Sequence, residues 1–272
     1  MIPVKYQNHR GRSIDLNAHG VVSNVSDMST WELEVDDAHR RIGGLTPALQ
    51  SFTFSCATYS NAARSALYDV PAVDVDAMRP GRLYVGEWYL VCYITGASQS
   101  RGADKSGMAK YSITVTPALP FWRRDREKIL TERHEGGTGL DYEHDYDYDY
   151  GYAPTSNVVE NRTHYPADLL IRIYGSCTDP VVKIGENDYS VNVDVKQGDR
   201  LEIDTSEKTV KIVKLDGTVE NAFAHIAGEY RENSGSYIFQ KMPSGTSNVT
   251  WSGMYNLDIV VIEHANEPRW WE

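Results

Sequence analysis

Residues 189–213 read YSVNVDVKQGDRLEIDTSEKTVKIV, and apolar and polar residues alternate through much of this stretch. Strict alternation over Tyr189–Val195 places four apolar side chains on one face of a half-buried strand. Two further strand-like runs follow, Arg200–Asp204 and Thr209–Val213, with turn residues between them. Asp216-Gly217 comes next, a dipeptide that favours the positive φ angles of tight hairpin turns. The stretch therefore predicts a β-meander.

Strand-like segments also lie on both sides of this meander. Leu169–Tyr174 is apolar with partial alternation, and Asn248–Ser252 precedes a last strand over Leu257–Glu263. Short strands at this spacing, separated by turn signals, are typical of a β-sandwich of about 100 to 130 residues. We therefore predict a second domain, residues 134–272, that folds as a β-sandwich.

The first half of the chain, residues 1–133, combines strands with helical segments. Apolar residues at helical spacing predict a helix over 61–70 that stops before Pro71, and a second short helix over 73–78. Strands are predicted at Trp31–Val35, Phe52–Cys56, Arg82–Ile94 with a hinge near Gly86, and Tyr111–Thr116. Together the halves predict a mainly β protein of two domains, the first of them with helical content.

Charge is distributed unevenly along the 272 residues, and the net charge is −11. Up to Arg133, 16 basic residues stand against 14 acidic ones, which gives +2, whereas from His134 onward 11 stand against 24, which gives −13. Tight binding of nucleic acid requires basic clusters opposite the phosphates, so this class is disfavoured. No apolar run approaches about 20 residues, and the N-terminal residues have no signal-peptide core. We expect neither a membrane span nor secretion.

Residue types that carry catalysis or bind metals do not form a known pattern. His134, His144 and the aspartates of residues 141–149 are suitable metal ligands, but their spacing matches neither an EF-hand loop nor a zinc-protease helix. We find no nucleophile elbow and no phosphate-binding glycine loop. The three cysteines lie far apart without CxxC pairing, so we expect them in the core. The prediction is no catalytic residue, no metal site and no cofactor.

Two segments between the halves are candidates for protein–protein contacts. Residues 121–128 are basic and aromatic, and within them Trp122, Arg123 and Arg124 combine an aromatic anchor with planar donors. A solvated linker is the alternative interpretation of this segment. Residues 141–152 hold five acidic residues and five tyrosines, and alternate tyrosines project to one side of an extended chain. The interface candidates in this repeat are Tyr146, Tyr148 and Tyr150.

Four stretches of the first half and the junction stand out together: 6–16 (YQNHRGRSIDL), 80–85 (PGRLYV), 120–122 (PFW) and the tyrosine–aspartate repeat from Asp141. Five more follow in the second half: 171–175 (IRIYG), 179–185 (DPVVKIG), 198–204 (GDRLEID), 248–251 (NVTW) and 268–271 (PRWW). In this order they resemble the distal tail protein (Dit) family of long, non-contractile-tailed bacteriophages. The resemblance spans nearly the whole chain.

This resemblance implies a structural virion protein. Residues 1–133 would form a β-rich domain with a short helix that joins copies into a hexameric ring, and residues 134–272 a galectin-like β-sandwich at its periphery. The ring would be a baseplate hub between the tail tube protein and the tail-tip protein, with back-to-back rings and a receptor-binding protein as further contacts to test. DNA would pass through the channel without tight binding, and assembly in the host cytoplasm would place the protein in the virion tail.

Two other classes stay open. The chain has 6 tryptophans and 18 tyrosines, among them Trp122, Trp251, Trp270 and Trp271, which would suit a surface that binds sugars. The alternative function is therefore a carbohydrate-binding adhesion module that recognises saccharide on the host cell. The third class is a hydrolase or metalloenzyme built on the histidine–aspartate cluster, and we expect no enzyme because no catalytic pattern is present.

Overall fold

The computed structural model describes residues 2–17, 21–29, 32–38, 41–99, 108–132 and 157–269, most of them in antiparallel β-strands. Contacts divide the chain into a first unit, residues 1–124 with 264–272, and a second unit, residues 125–263. The predicted mainly β fold with a helix is confirmed. The domain division 1–133 and 134–272 differs from these bounds and stays a prediction.

Within its described residues, the first unit begins nine strands: β1 (Val4–Gln7), β2 (Ser13–Asp15), β3 (Val21–Ser23), β4 (Leu33–Ala38), β5 (Arg41–Pro47), β6 (Phe52–Thr58), β7 (Gly81–Val85), β8 (Trp88–Gln99) and β9 (Ala109–Leu130). One antiparallel sheet joins seven of them in the order β2-β1-β7-β8-β9-β6-β3. Strands β4 and β5 pair in a separate hairpin. Inward side chains alternate along the strands, as with Leu83 and Val85 on β7, and form the core of the unit.

A single helix, α1 (Asn61–Ala77), replaces the two short helices that the sequence predicts. It begins after Ser60, whose hydroxyl accepts a hydrogen bond from the N–H of Ala63 at 3.2 Å. The helix continues through Pro71, although a proline inside a helix removes a hydrogen bond and costs about 3 kcal/mol. Burial of one face offsets this cost. The buried side chains of that face are Leu67, Val70, Pro71 and Asp74.

Residues 121–128 belong to β9, so their interpretation as a solvated linker is wrong. The strand is also longer than the predicted Tyr111–Thr116. Its register with β8 shifts between Leu90 and Cys92, opposite the segment that contains Pro117 and Pro120. Proline has no N–H to donate to the sheet, so an irregularity there lets the strand continue.

Residues 157–269 contain eleven further strands: β10 (Val158–Asn161), β11 (Asp168–Tyr174), β12 (Cys177–Thr178), β13 (Val181–Ile184), β14 (Asn187–Ser190), β15 (Asp194–Val195), β16 (Arg200–Asp204), β17 (Thr209–Val213), β18 (Val219–Asn221), β19 (Gly245–Trp251) and β20 (Asn256–Ala265). In the second unit, one sheet contains β18-β17-β16-β11-β20 and the other contains β10-β19-β13-β14. Ile171 and Ile203 of the first sheet share one buried cluster with Val182 and Val249 of the second. The second unit is therefore the predicted β-sandwich.

The predicted meander is largely confirmed. Strands β16 and β17 have the bounds read from the sequence, and Gly217 adopts φ +84° in the turn that joins β17 to β18. Tyr189–Val195 differs from the prediction, since β14 ends at Ser190, Val191 forms only an isolated bridge with Ile226, and the next strand begins at Asp194. Tyr189 and Val195 are nevertheless buried, so the alternation predicts the inward face correctly although the strand is interrupted.

Candidate functional site

Trp122 lies inside the first unit, with 3% of its surface exposed. Strand β9 places it opposite Leu90 on β8, and both side chains belong to the core of the unit. Arg123 stands opposite Tyr89 and is partly exposed. Burial gives Trp122 a packing role within its own chain, and a role in contacts between chains stays a prediction.

Arg124 is 5% exposed and lies over the face of Trp88, with its guanidinium carbon 4.5 Å from the ring centre. A guanidinium in this position gains cation–π attraction, which is stronger where water is excluded. On the same strand, Phe121 stacks on His264 with ring centres 5.2 Å apart. Phe121, Trp122 and Arg124 of this basic and aromatic segment thus pack within the first unit.

The other predicted candidates, Tyr146, Tyr148 and Tyr150, lie outside the described residues, as does the histidine–aspartate cluster between His134 and Asp149. Within the described part of the chain, no group of three or more His, Cys, Asp or Glu residues is placed to hold a metal ion. In the same residues, no helix is long and apolar enough to cross a membrane.

A buried carboxylate on α1 organises the N-terminal loop of the first unit. Asp74 has no exposed surface and accepts a hydrogen bond from the Tyr6 hydroxyl at 2.6 Å. Its other oxygen accepts one from the backbone N–H of His9 at 2.8 Å and lies 2.6 Å from His9 Nδ1. Burial raises the pKa of Tyr6 far above its ordinary value, and the hydrogen bond to Asp74 adds to this. The phenol is therefore a permanent donor to the carboxylate.

Asn8 fixes the loop that follows. Its side-chain oxygen accepts hydrogen bonds from the N–H groups of Arg10 and Arg12 at 3.2 and 2.9 Å. Its amide nitrogen donates to the carbonyl of Val70 on α1 at 3.2 Å. At Gly81, an added Cβ would lie 2.5 Å from both Asp74 Oδ2 and the Tyr6 hydroxyl, so a larger residue would displace the network. The loop is held rigidly against the end of the helix.

Sequence reasoning does not find this network. Its one visible signal is the charge pattern, because the first 14 residues contain Lys5, Arg10 and Arg12 and no carboxylate. The structure places both arginines on the exposed side of the loop, whereas the single nearby acid of the network, Asp74, is buried. A local excess of positive charge therefore exists on a chain whose net charge is −11.

In the second unit, charged side chains line the outer face of the larger sheet. Glu202 lies between Arg200 at 2.7 Å and Lys211 at 3.2 Å, and although burial opposes it, these partners hold the pKa of its carboxyl below the usual range. On the neighbouring strands, the Tyr174 hydroxyl donates to Asp258 at 2.6 Å, and burial together with this bond raises the pKa of Tyr174 to about 12. These groups bind one another and stabilise the sheet.

A polar groove of about 420 Å³ opens beside β17 and β18 in the same unit. Its walls carry amide, carboxylate and ammonium groups, including Asn192, Asp194 and Lys196, and an ion pair of 2.9 Å between Lys214 and Glu220. Such groups could hydrogen-bond the hydroxyls of a saccharide. Among the described residues, the side chains that line the groove include no Trp, Tyr or Phe for a sugar ring to stack on.

The three cysteines are free thiols. Cys56 and Cys92 are buried in the first unit, and Cys177 packs partly buried against the core of the second. Burial raises the pKa of the Cys56 and Cys177 thiols to about 11, and that of Cys92 further. Protonated thiols at neutral pH are poor nucleophiles, so their chemistry fits packing rather than catalysis.

Comparison with known proteins gives no match at the level of sequence. No protein-family model matches the chain, and no curated protein matches it significantly. Solved structures do match, and they define the class of the fold as that of phage distal tail and baseplate proteins.

The Dit protein of phage SPP1, described as a paradigm of the hub adsorption apparatus in phages that infect Gram-positive bacteria, is similar with a TM-score of 0.56. Identity is 10%, over 97% of this chain and 99% of that chain. The phage p2 baseplate in its activated conformation contains a similar chain, with TM-scores of 0.60 in the strontium form and 0.58 in the calcium form. Identities there are 13% and 12%, over 98% of this chain and all of the other. At such identities the likeness establishes the fold.

Proposed function

We propose that this chain is a structural virion protein, a distal tail hub that forms a hexameric ring and joins the phage tail tube to the tail-tip apparatus. The observation that carries the proposal is the extent of the likeness, since 97% of the chain matches a Dit hub and 98% matches a baseplate chain. One fold hosts many functions, but one matched protein is described as a hub adsorption apparatus and the other as part of a phage baseplate.

In this proposal residues 1–133 form the ring and residues 134–272 form a galectin-like domain at its periphery. The partners are further copies of the chain, the tail tube protein and the tail-tip protein, with a receptor-binding protein to be tested. DNA passes through the channel without tight binding, in keeping with an excess of acidic residues in the second half. The protein is located in the virion tail after assembly in the host cytoplasm, and it has no catalytic activity.

Electron microscopy of the purified full chain tests the ring, with light scattering on the same sample to give its mass. We expect rings of six subunits with an open centre, at a mass of about six chains. A monomer at every concentration examined would contradict a ring that forms by itself. Addition of the tail tube protein would then show whether the hub closes only on that partner.

The alternative function is recognition of a host saccharide, and the polar groove beside β17 and β18 is the observation that favours it. A glycan array with the full chain tests this function. Binding that is lost in Asn192→Ala, at a groove position, and kept in Asn233→Ala, in an exposed turn outside the groove, would support it. An array without hits leaves the hub as the function of the chain.

A further inference from the structure

Strands β4 and β5 form a two-stranded sheet of their own in the first unit. Within the described residues they pair with each other and with no further strand. Glu34 and Val35 are neighbours on β4 and therefore point to opposite faces, and both are exposed, Val35 by 57%. A hairpin of two strands is only marginally stable in water unless something packs on it. At this position the described residues of the unit cover neither face, so the hairpin gains stability from a partner.

The first strand of this hairpin is acidic. Residues 32–37 read ELEVDD and contain four carboxylates and no cation, and the arginines of the hairpin, Arg40 and Arg41, come after them. Glu32 and Glu34 are exposed, and neither forms an ion pair with another described residue. The N–H of Ala48 donates to the carbonyl of Glu32 at 3.0 Å, so the hairpin holds the backbone from this residue on. We name residues 32–37 the acidic strand.

Elsewhere in the same unit, the last turn of α1 presents apolar side chains to solvent. Met78, the residue that ends the helix, is 78% exposed, and Val75 one turn earlier is 45% exposed. Met78 adopts φ +50°, a left-handed conformation that glycine adopts at no steric cost. A methionine here combines backbone strain with an exposed apolar side chain, and neither stabilises the free unit. Strain that is retained at a surface points to a function.

Positive charge surrounds this apolar end of the helix. Arg79 follows Met78 directly, and the contact of His9 with Asp74 brings the loop of Arg10 and Arg12 to the same turns of α1. Segments 7–12 and 75–82 carry four arginines and one exposed carboxylate, Asp76. We name six of these residues the α1-end surface: Arg10, Arg12, Val75, Met78, Arg79 and Arg82.

The arginines of this surface are positioned before any partner arrives. Arg10, Arg12 and Arg79 are exposed, and none of them forms an ion pair with another described residue. Asn8 holds the backbone of the loop through two hydrogen bonds, so little order remains to be gained on binding. An apolar centre with an arginine rim is the composition that protein–protein interfaces favour. A polyanion such as DNA fits less well, because its phosphates offer nothing for Met78 to pack against.

The two surfaces belong to opposite ends of the strand order of the first unit. The loop of Arg10 and Arg12 joins β1 to β2, and β2 is one edge strand of the order β2-β1-β7-β8-β9-β6-β3. The acidic strand follows β3, the other edge strand, along the chain. Because the surfaces are different and separate, one copy can contact two neighbours at once.

We propose that the α1-end surface of one copy binds the acidic strand of a second copy. The inference rests on the proposed hub, and it supplies the contact that closes the ring. Both surfaces lie within residues 1–133, the part of the chain that forms the ring in that proposal. Two different complementary surfaces on one chain make a head-to-tail contact, and such contacts generate closed rings when the rotation closes. Opposite charges meet in this contact, and it removes the exposed Met78 and Val35 side chains from water.

A charge swap tests the pairing on the full chain. Arg10→Glu with Arg12→Glu reverses the α1-end surface, and Glu32→Arg with Glu34→Arg reverses the acidic strand. Each double variant alone is expected to assemble about tenfold or more weakly than wild type, because like charges then face each other. An equal mixture of the two is expected to form rings again, since every contact in an alternating ring pairs opposite charges. A single chain with all four changes should assemble as well, which a misfolded variant could not do.

Controls in the second unit separate the pairing from a general effect of charge. Lys196→Glu with Lys208→Glu changes the net charge as much as the reversed α1-end surface does, and Glu207→Arg with Glu229→Arg as much as the reversed acidic strand does. The four side chains are exposed and lie outside residues 1–133. Both control variants should therefore assemble as wild type.

Met78→Gly separates an interface role of this residue from a structural one. Glycine removes the strain at φ +50°, so we expect Tm to rise by about 2 °C while assembly weakens. Lys208 also has a positive φ, +51°, and Lys208→Gly is expected to raise Tm without any change in assembly. A residue that only supports the fold would not combine higher stability with weaker assembly.

Mass photometry and electron microscopy give the outcomes. Rings from wild type, from the mixture and from the chain with four changes, but not from either reversed variant alone, support the proposal. Wild-type rings with reversed variants that assemble normally, or a mixture that fails to recover, overturn the pairing and leave the hub intact. A reversed α1-end surface that keeps the ring but loses binding to the tail tube protein or to DNA assigns that surface to another partner and also overturns the pairing. A wild type that never assembles overturns both the pairing and the self-closing ring.

Discussion

Asp74 of the first unit and Glu202 of the second are both buried carboxylates, but their partners differ. In the first unit Asp74 has no exposed surface, and its two oxygens hold a loop and a tyrosine against a helix. In the second unit Glu202 lies on the outer face of a sheet and pairs with two cations that are themselves about 40% exposed. The exposure of the partners therefore decides how much such a group contributes, because water competes for the exposed cations beside Glu202 and much less for the donors beside Asp74.

The units also differ in how their apolar faces are covered. The first packs a helix on its sheet, whereas the second packs one sheet on another. Two buried tryptophans, Trp88 and Trp122, lie in the first core, and truncation of such a side chain leaves a large cavity. The described buried residues of the second core include no tryptophan, and branched aliphatic residues such as Ile171, Ile203 and Val249 contribute much of its packing.

Among the substitutions considered, Trp122→Ala should lower the free energy of unfolding most. Loss of a buried tryptophan costs about 4 kcal/mol, and the first unit should lose this stability. Trp251→Ala in the second unit is the matched change, with a smaller expected cost because Trp251 is only partly buried. Urea unfolding followed by circular dichroism gives the sizes, and hydrogen exchange shows which unit opens. Equal losses of unfolding free energy in Trp122→Ala and Trp251→Ala would contradict the expectation that the tryptophan of the first core contributes more stability.

Asp74→Ala should cause the second largest loss of stability. The change leaves the Tyr6 hydroxyl and the His9 N–H buried without their acceptor, which costs about 3 kcal/mol. Asp76→Ala is the control, on the same helix but exposed, and its expected cost is below about 0.5 kcal/mol. If both variants unfold at the same urea concentration, Asp74 does not hold the loop.

Glu202→Gln should have the smallest effect and a distinct pH dependence. Its ion pairs are partly exposed, so the expected cost near neutral pH is below about 1 kcal/mol. Because the pKa of Glu202 is lowered on folding, its contribution is present above the unfolded pKa and is lost as pH falls through the folded one. The unfolding free energies of variant and wild type should therefore converge in acid. Glu207→Gln, an exposed neighbour, should show no such convergence.

Sequence patterns predict the sandwich better than the helical unit. Regular alternation places β16 and β17 correctly, because the pattern of a half-buried strand is local and has period two. Pro71 misleads the helix prediction, since local rules end a helix there and only tertiary burial allows it to continue. Pro117 and Pro120 mislead in the same way for β9.

The candidate site was less accessible to such reasoning. Trp122 and Arg124 share one face of β9 and point inward. A segment rich in arginine and lysine predicts an exposed surface, so its sequence does not indicate this burial. The Tyr6–His9–Asp74 network joins residues 65 or more positions apart, and no periodicity reports contacts at that separation. Met78 gives no signal in the sequence, because its left-handed conformation is known only once the end of the helix is known.

The first unit is completed by a segment made long after the rest of it. Residues 264–272 belong to this unit, Ala265 lies in its core and His264 stacks on Phe121. During synthesis at about 5–20 residues per second, about seven to twenty-eight seconds separate residue 124 from residue 265 on the ribosome. The second unit also gains its last strand, β20, only with residues 256–265, so neither unit has its complete sheet before this segment is made. Folding of the first unit in the cell is therefore expected to finish only after the second unit has been synthesised.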